Sequence, residues 1–545
     1  MPENNIQFIR TNGLGRRDPS FDHVSALLFY NDTLPSGFSA NDRVKPIFSL
    51  QEAEDLGIVD THSDETVATG GQVQITLTGA ADDTTSITID GITLGAYTVV
   101  TADAVADIAS GLVDAINALT LKHGFSATLS TDTVQLTAPA KMGVVPNSAT
   151  IAFVTSGAAT VTATQFSSGV GSEFAIMHYH ISEFFRKKSD GKCWVGIYGQ
   201  DTFDASEISD MRTAANGEFR QIGVNVTHES FATSQLANVQ TELVTARAEK
   251  ENCLGVFHAD MSALTLSNLS NLATLTNSKV QVMLGEDGNF HQASYSATQS
   301  YLAGAKVKWL NRTYIAIKSS TGQATYDSDY FSEISLNLPD IVGHSVSSLG
   351  TKLGSIAFGN VNESTANPER FPLTSGNNHG EAGFATGDLY KDQSQGLRNQ
   401  LNDYHYTYLR SFSGYSGVFF NDSYTAIARS DDYATVENNR TMDKAERNNY
   451  IALVPKLVGD INLNSDGTLS QASINEYHSI VAGELALMMI DGEISGTEDD
   501  PGYKVTIDQT QDILQTSELQ ITFEIIPKGK ARNIVVNNSY AVKLT

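Results

Sequence analysis

The sequence Glu518-Leu-Gln-Ile-Thr-Phe-Glu-Ile525 alternates apolar and polar side chains from one residue to the next. This period of two indicates a β-strand with one buried face. After the break Pro527-Lys-Gly-Lys530, apolar residues recur up to the last residue, Thr545, at Ile534, Val536, Tyr540, Val542 and Leu544. A strand at the end of a chain has a single covalent tether, so it is able to pair with a neighbouring molecule.

The other end of the chain has a similar pattern. Ile6 and Phe8 alternate with Gln7 and Ile9, and a Gly-containing stretch follows, with Gly13 and Gly15 as a predicted linker hinge. We therefore predict two arms that pair between subunits, formed by Ile6 and Phe8 at one end and by Ile534, Val536, Tyr540, Val542 and Leu544 at the other. In the alternative interpretation, both strands complete the sheet of their own domain.

Length and composition limit the class of protein. A chain of 545 residues divides into several domains, and 41 % hydrophobic and 18 % charged residues are typical of globular folds. Without a long apolar run or a secretory signal at the N-terminus, we expect no direct membrane insertion and no export by an N-terminal signal. Cys193 and Cys253 are expected to be buried, reduced thiols. The net charge of −27 argues against a nucleic-acid partner.

Shifts in composition predict a multidomain chain of α/β and α+β class, with mixed sheets and flanking helices. Residues 64–171 are rich in Thr, Ala, Gly, Ser and Val, which predicts an inserted β-rich outer domain with one helix, flanked by glycine hinges. The predicted parts are 1–63 (N-terminal arm and start of the core), 64–171 (insert), 172–292 (α/β domain), 293–335 (small aromatic β-module), 336–375 (return to the α/β core) and 376–545 (C-terminal core domain with a strand arm).

Residues 172–292 contain four helix–strand units in a row, which predicts a largely parallel sheet covered by helices. The fourth helix is expected through Leu266, Leu269, Leu272 and Leu275. Because such sheets bind ligands at the carboxyl ends of their strands, His258 and Asp260 are the first candidates for acid–base or metal chemistry. The chain has no nucleophile motif, phosphate-binding loop or metal-spaced cluster, so we predict no catalytic residues, no metal and no cofactor.

The aromatic segment 293–335 resembles the small β-module of chitin-binding domains, which also recurs in phage structural proteins. The resemblance rests on Tyr301 to Trp309, on Asn311 to Ile317 and on Asp329-Tyr-Phe331. Trp309, Tyr314 and Tyr330 are candidates for stacking on sugar rings. In the alternative interpretation, Trp309 and Tyr314 form the core of the module.

The C-terminal third contains Asn438-Asn-Arg-Thr-Met-Asp-Lys-Ala445 and the turn Glu493-Ile-Ser-Gly496 ahead of the final strands. This order resembles the tail sheath protein of contractile phage tails, and Gln7 to Gly13 and Leu34 to Phe38 are similar to the start of such proteins. The resemblance covers residues 1–60 and 172–545 without the aromatic segment. The resemblance implies that these parts form the sheath core. The Thr-rich segment 64–171 is similar to domains that sheath proteins carry at variable positions.

The resemblance implies a structural protein of the virion rather than an enzyme. Sheath subunits form stacked rings around a tail tube, are linked by exchanged terminal strands, and contract to drive the tube through the host envelope. The implied partners are other copies of the chain, the tube protein, and the baseplate and terminator proteins, with assembly in the host cytoplasm. A bacterial contractile injection system would use the same core, and a carbohydrate-binding protein is the alternative of a different class.

The acidic net charge predicts complementary patches between subunits. The basic residues Arg16, Arg17, Arg186, Lys187 and Lys188 are expected to face acidic surfaces such as Glu498-Asp-Asp500. The alternative is ordinary solvated surface charge.

Overall fold

The structure, a computed structural model, describes residues 21–77, 80–157, 159–497 and 499–540. The described chain starts with a 3-10 turn at Phe21–His23, followed by β1 (Ser25–Tyr30), β2 (Val44–Ile47) and α1 (Leu50–Asp55). Every residue of β1 is buried, because this strand lies inside the central sheet. The side chain of Ser49 accepts a hydrogen bond from the amide of Glu52 and so caps α1.

Residues 64–171 form two antiparallel sheets around one longer helix. The elements are β3 (Gln72–Leu77), β4 (Thr84–Ile89), β5 (Ile92–Thr98), α2 (Val105–Asn117), α3 (Thr120–His123), β6 (Ser126–Ser130), β7 (Thr133–Thr137), α4 (Val145–Ser148), β8 (Ile151–Thr155) and β9 (Thr160–Thr164). The strand orders are β6-β7-β3-β9 and β5-β4-β8. Ile108, Leu112 and Ile116 of α2 are fully buried, as their helical spacing predicts.

The next part alternates helices and strands. It consists of α5 (Glu173–Lys187), β10 (Cys193–Tyr198), α6 (Glu207–Ala214), β11 (Gln221–Ser230), α7 (Thr233–Ala248), β12 (Leu254–Asp260), β13 (Thr276–Asn277), β14 (Val280–Met283) and β15 (Gly285–Asp287). Cys193 and Cys253 are buried free thiols, as expected.

The prediction of a fourth helix through Leu266 to Leu275 is wrong. Leu266–Asn268 and Leu272–Thr274 are separate 3-10 turns, and the side chain of Asn271 caps the second by accepting from the amide of Ala273. A leucine at every third residue fits a 3-10 turn better than the 3.6-residue period of an α-helix. The Ser and Asn residues between the leucines bond to nearby backbone groups and favour caps and turns.

The aromatic segment follows a 3-10 turn at Gly288–His291. It contains β16 (Ser300–Tyr301), β17 (Lys306–Trp309), β18 (Arg312–Ala316), β19 (Ser320–Thr321) and β20 (Phe331–Leu336). It shares one hydrophobic cluster with residues 64–171. The indole Nε1 of Trp309 donates to the carbonyl of Ile89 at 3.3 Å, and the hydroxyl of Tyr326 donates to the carbonyl of Thr93 at 2.8 Å. We call residues 64–171 and 293–335 together the appendage.

The remaining elements return to the core. They are α8 (Leu338–Val342), α9 (Leu349–Phe358), β21 (Ala382–Phe384), α10 (Gln395–Asp403), β22 (Tyr406–Thr407), β23 (Leu409–Phe412), β24 (Tyr415–Phe420), β25 (Ala426–Ile427), α11 (Val436–Leu453), α12 (Gln471–Ile490), β26 (Tyr503–Ile507), α13 (Ile513–Thr516) and β27 (Ile521–Ile525). Further 3-10 turns lie at Tyr390–Asp392 and Val454–Lys456. α11 begins at Val436, because the side chain of Thr435 accepts a hydrogen bond from the amide of Asn438 and caps the helix.

The central sheet has the order β2-β10-β1-β11-β12-β14-β22. Its strands run parallel except β2, which confirms the predicted largely parallel sheet and the mixed α/β class. α5 and α9 cross closely, because Gly350 approaches the backbone of α5. A Cβ at Gly350 would lie 2.1 Å from the carbonyl oxygen of His180, so only glycine fits there.

A packed joint connects the appendage to the core. The carboxylate of Glu65 accepts hydrogen bonds from the amides of Lys141, Met142 and Gly143 at 2.6–2.9 Å. A Cβ at Gly143 would lie 2.1 Å from the carbonyl oxygen of Ile341 in α8, and one at Gly171 would lie 2.4 Å from the same oxygen. These two glycines therefore allow close packing at the joint. Gly171 belongs to one of the predicted hinges, and its role as a hinge stays a prediction.

Candidate subunit interface

The C-terminal hairpin is a small sheet packed on two helices. β26 and β27 pair antiparallel, with Tyr503 opposite Ile525 and Ile507 opposite Ile521. Their apolar faces pack on a cluster from α11 and α12 that includes Leu485. Within the described residues this sheet has two strands, so both of its outer edges lack a strand partner. Two-stranded sheets are marginally stable alone, and a third strand adds stability.

An apolar groove lies beside β27. It has a volume of about 550 Å³ and is bounded by α7, α11 and β27. Val244, Tyr450, Leu453 and Phe523 line its apolar part, and about half of the Val244 and Tyr450 surface is exposed. Polar and charged side chains line the rest, among them Arg247, Lys250, Glu446 and Arg447. A strand that paired with the free edge of β27 would have apolar surface beside it for every second side chain.

The tail beyond the hairpin contains the predicted C-terminal arm. Residues 528–540 form no helix or strand. Ile534 and Val536 are 76 % and 77 % exposed, and Val535 and Tyr540 are also exposed. More than half of the exposed large apolar side chains in the described part of the chain lie after residue 449. An apolar run of this kind, without a partner strand in its own subunit, is a surface that other molecules recognise.

The other predicted arm residues lie outside the described part of the chain. These are Ile6, Phe8, Gly13, Gly15, Val542 and Leu544. Their role stays a prediction.

Arg532 fixes the base of the tail. Its Nε donates to Asp422 Oδ1 at 2.9 Å, and its terminal nitrogen donates to Glu437 Oε1 at 2.6 Å. Burial lowers the pKa of Arg532, but the two carboxylates outweigh that effect and raise it. The eight described residues after Arg532 reach about 26 Å when extended, at about 3.3 Å per residue.

Helix α11, which contains Glu437, also binds the start of the described chain. Lys444 Nζ lies 2.9 Å from Asp22 Oδ2, and Arg447 forms an ion pair with the same carboxylate. Arg440 donates to the carbonyl of Asp22 at 3.2 Å. Residues 440, 444 and 447 lie on one face of α11, because they are spaced by four and three positions. Asp22 and Arg532 are therefore both bound by α11, at positions about 5–15 Å apart along its axis.

A second face of α11 binds the central sheet. Asn439 donates to the carbonyl of Ser278 at 2.9 Å, and Asp443 accepts from Lys279 at 2.9 Å. The sequence resemblance rests on the segment Asn438 to Ala445. This segment thus contributes the side chains that bind α11 to the loop at the start of β14. The sequence showed the pattern of this segment but not its partners, because those partners are distant in the chain.

The turn Glu493–Gly496 contacts the same helix. Glu493 Oε1 lies 2.5 Å from Lys444 Nζ, and Ile494 is fully buried. The amide of Ser495 donates to the carbonyl of Ile526 at 2.8 Å, and its hydroxyl donates to the carbonyl of Pro527 at 2.9 Å. The two sequence motifs therefore meet in space, and the turn holds the end of β27 where the tail begins.

The strand-end candidates His258 and Asp260 have structural contacts. His258 is fully buried between the carbonyl of Met283 and the hydroxyl of Ser345, at 3.2 Å from each. Burial lowers its pKa to about 4, so it is neutral at pH 7. Asp260 accepts from the amide of Ser345 at 2.8 Å. These contacts hold the loop around Ser345 against the sheet.

The aromatic candidates for sugar stacking are mostly inside the appendage. Trp309 is 5 % exposed and Tyr314 is 7 % exposed, and both belong to the shared hydrophobic cluster. Tyr330 is half-buried, with Lys318 Nζ 5.7 Å from the centre of its ring. The burial of Trp309 and Tyr314 favours the alternative interpretation, in which they are core residues.

Arg186, Lys187 and Lys188 of the predicted basic patch have contacts within their own subunit, and their role between subunits stays a prediction. Arg186 forms an ion pair with the buried Glu183 and donates to the carbonyl of Leu373 at 3.1 Å. Lys187 donates to the carbonyl of Pro372 at 2.5 Å, and Lys188 pairs with Asp190. These cations bind within their own subunit because α5 packs against the neighbouring loop around residue 372. Arg16, Arg17 and Glu498 lie outside the described residues.

The described ranges contain no group of His, Cys, Asp and Glu side chains arranged to hold a metal ion. None of the helices described is both long and apolar enough to cross a bilayer.

Residues 432–545 match the family described as DUF2586, C-terminal domain. No curated protein sequence matches the chain. Among solved structures, the chain is similar to a component of the anti-feeding prophage baseplate, with 14 % identity, a TM-score of 0.40, and coverage of 67 % of this chain and 80 % of the other.

Two further structures have names that refer to sheaths. The first is the contracted sheath complex of an extracellular contractile injection system, with 13 % identity, a TM-score of 0.42, and coverage of 67 % and 80 %. The second is the sheath tail protein from Listeria innocua, with 10 % identity, a TM-score of 0.35, and coverage of 92 % and 94 %. The resemblance to sheath proteins expected from the sequence is confirmed as a resemblance. These scores are too low to transfer subunit contacts to this chain.

Proposed function

We propose that this chain is the structural subunit of a contractile sheath, which polymerises as stacked rings around a tube and contracts to drive the tube through a target envelope. The observation that carries the proposal is the combination of an exposed apolar tail, fixed at Arg532, with a two-stranded hairpin beside an apolar groove. The tail of one subunit pairs with the hairpin of the next by strand addition.

The physics of strand addition suits such a polymer. Main-chain hydrogen bonds hold the added strand, and alternate apolar side chains cover the groove. A contact between two different surfaces, repeated from subunit to subunit, produces rings or helical filaments. Contraction requires no nucleotide when the extended sheath is a metastable state behind a barrier, and newly buried apolar surface provides about 25 cal/mol per Å².

The sequence resemblance supports the choice of sheath among polymers. It rests on Asn438 to Ala445 and Glu493 to Gly496, the two segments that meet at Lys444. The proposed partners are further copies of this chain, a tube protein, and baseplate and terminator proteins, with assembly in the cytoplasm of a bacterial host. Neighbouring genes distinguish a phage tail, in which the particle is a virion, from an injection system.

The experiment is assembly of the purified full chain, followed by pelleting and negative-stain microscopy. We expect striated tubes from the wild type. The variant Ile534→Asp/Val536→Asp is expected to stay unassembled, because it removes the two apolar side chains that would cover Val244, Tyr450 and Phe523, and because Asp disfavours a strand. Leu121→Asp is the matched control, since Leu121 is a fully exposed apolar residue on the appendage. Tubes from the double variant in wild-type yield would overturn the proposal.

A further inference from the structure

The chain between β27 and the exposed tail runs along α11, away from the groove. Phe523 of β27 and Leu453 in the last turn of α11 line the groove together. Arg532 is bound to Glu437 in the first turn of the same helix. Glu437 and Leu453 are about 24 Å apart along the helix axis, at about 1.5 Å per residue. The tail therefore starts at the opposite end of α11 from the groove of its own subunit.

The hairpin nevertheless has a competing third strand in its own chain. Pro527-Lys-Gly-Lys530 has the length and the residue types of a hairpin loop. If the chain reversed there, Ile534 would lie opposite Phe523 and Val536 opposite Ile521. Opposite side chains of an antiparallel pair share one face, and Phe523 and Ile521 face the apolar cluster under the hairpin. The tail is thus able to pair with its own hairpin in a register that suits its apolar residues.

Arg532 opposes this closure in two ways. Its guanidinium is bound by Asp422 and Glu437, whose side chains are only 11 % and 3 % exposed. Because water screens these carboxylates only in part, the ion pairs hold the base of the tail at the start of α11. In the closed register, Arg532 would lie opposite Ile525, which packs on the apolar cluster. An unpaired charge on that face is costly to bury.

We propose that Arg532 keeps the tail of each subunit away from its own hairpin and so leaves the hairpin free for the tail of a second copy. The inference rests on the proposed function, because it requires a hairpin that accepts a tail. A tail tethered beside its own hairpin has an effective concentration on the order of millimolar there, so a second copy binds well only when self-pairing is disfavoured. Arg532 acts against the wrong partner without contacting the right one.

The first measurement is amide hydrogen exchange of the full chain, at a concentration at which sedimentation shows it to be unassembled. In Arg532→Ala we expect the tail to close on its own hairpin. Exchange at Ile534, Val535 and Val536 then slows by at least about tenfold relative to the wild type, in which these residues are exposed.

The substitution leaves the surrounding charges partly compensated and has a matched control. The fully buried Lys352 also interacts with Glu437 and Asp422, so the two carboxylates keep one cation in Arg532→Ala. Arg429→Ala is the control, because Arg429 lies over the same Tyr424 ring as Arg532 but forms its ion pair with Asp403 on the exposed surface. We expect wild-type exchange in this control.

The second measurement separates self-pairing from damage to the hairpin. A synthetic peptide with the sequence of residues 533–540 is titrated into the same chains. We expect Arg532→Ala to bind the peptide about tenfold more weakly than the wild type, because its own tail occupies the hairpin. Addition of Ile534→Asp/Val536→Asp to Arg532→Ala blocks the tail and is expected to restore the affinity to within about twofold of the wild type.

The outcomes distinguish this inference from the proposed function. Wild-type exchange and wild-type peptide affinity in Arg532→Ala would overturn the role of Arg532 while leaving strand addition in place. A triple variant that does not regain affinity would assign the loss to a damaged hairpin and would also overturn it. A wild-type chain that does not bind the peptide would remove the proposed function and this inference with it.

Discussion

The appendage and the C-terminal region are both built from short strands packed on helices, but they differ in how their apolar surface is covered. In the appendage, residues 64–171 and 293–335 come from distant parts of the sequence and complete each other's core. In the C-terminal region, the hairpin has two edges without a strand partner among the described residues, and the tail up to residue 540 is exposed. The appendage therefore finds its covering segment within one chain, whereas the proposed function assigns that place in the C-terminal region to another copy.

Deletion of residues 533–545 is expected to have the largest effect on assembly. Tube formation is lost because the donated strand is gone, and the concentration required for assembly rises by at least about a hundredfold, the equivalent of about 3 kcal/mol per contact. The melting temperature of the unassembled chain stays within about 1 °C, since Ile534, Val535 and Val536 are exposed. Sedimentation and thermal unfolding measure the two quantities. Normal tubes from the shortened chain would contradict the difference between the regions.

Truncation inside the appendage is expected to reduce stability but not assembly. Trp309→Ala removes a buried indole and its bond to the carbonyl of Ile89, at a cost of about 3–5 kcal/mol to the appendage. Hydrogen exchange at Ile87 and Ile89 should speed up, while tubes still form. Tyr415→Ala is the control, because Tyr415 is exposed and lies outside the appendage. If exchange in residues 64–171 does not change, the two segments do not share a core.

The joint between appendage and core is tested by a pair of glycine substitutions. Gly143→Ala places a Cβ 2.1 Å from the carbonyl oxygen of Ile341 at a φ of +53°, so both overpacking and backbone strain apply. We expect a loss of about 2–4 kcal/mol in the free energy of unfolding. Gly91→Ala has a φ of +78° and no atom within 4 Å, so it should cost only about 1 kcal/mol. If denaturant unfolding gave the same loss of unfolding free energy for Gly143→Ala and Gly91→Ala, the joint would not be tightly packed.

The smallest expected effect is a pH dependence of the free energy of unfolding, caused by an ion pair next to this joint. His344 Nε2 lies 2.8 Å from Glu173 Oε1. Burial lowers the pKa of His344, but Glu173 and further hydrogen bonds outweigh this and raise it to about 9. The pair therefore stabilises the fold fully below the ordinary histidine pKa of about 6.5, and this contribution is lost as the pH rises through about 9.

His344→Gln is expected to flatten the stability profile between pH 6.5 and 9, by on the order of 1 kcal/mol. Urea unfolding across this range measures it. His258 provides the contrast, because burial lowers its pKa to about 4 and it stays neutral throughout the same range. An unchanged slope for His344→Gln would show that the pair does not stabilise the joint.

Much of the secondary structure followed from local patterns. The alternation from Glu518 to Ile525 and the first three helix–strand units of residues 172–292 predicted elements that the structure contains. The pattern failed at Leu266 to Leu275, where a spacing of three with Ser and Asn in between produced turns. The contact of Arg186 with the carbonyl of Leu373 was not predictable from local sequence, because the two residues are far apart in the chain.

The candidate interface was predictable only in part. The apolar residues Ile534 and Val536 are visible in the sequence, and so are the two motifs of the C-terminal third. The pairing of Asp22 and Glu493 with Lys444, and of Glu437 with Arg532, is not, because ion pairs carry no periodicity and the partners lie 49 to 422 residues apart in the chain.

The sequence alone determined most of the strands and helices, since side-chain period and capping act between residues a few positions apart. It also contained the apolar residues Ile534 and Val536 of the tail. Only the tertiary structure decided that two distant inserts share one core, that Trp309 is inside it, and that α11 holds both ends of the described chain. These outcomes depend on which surfaces meet after folding, and burial and charge pairing select those surfaces through contacts that no local pattern contains.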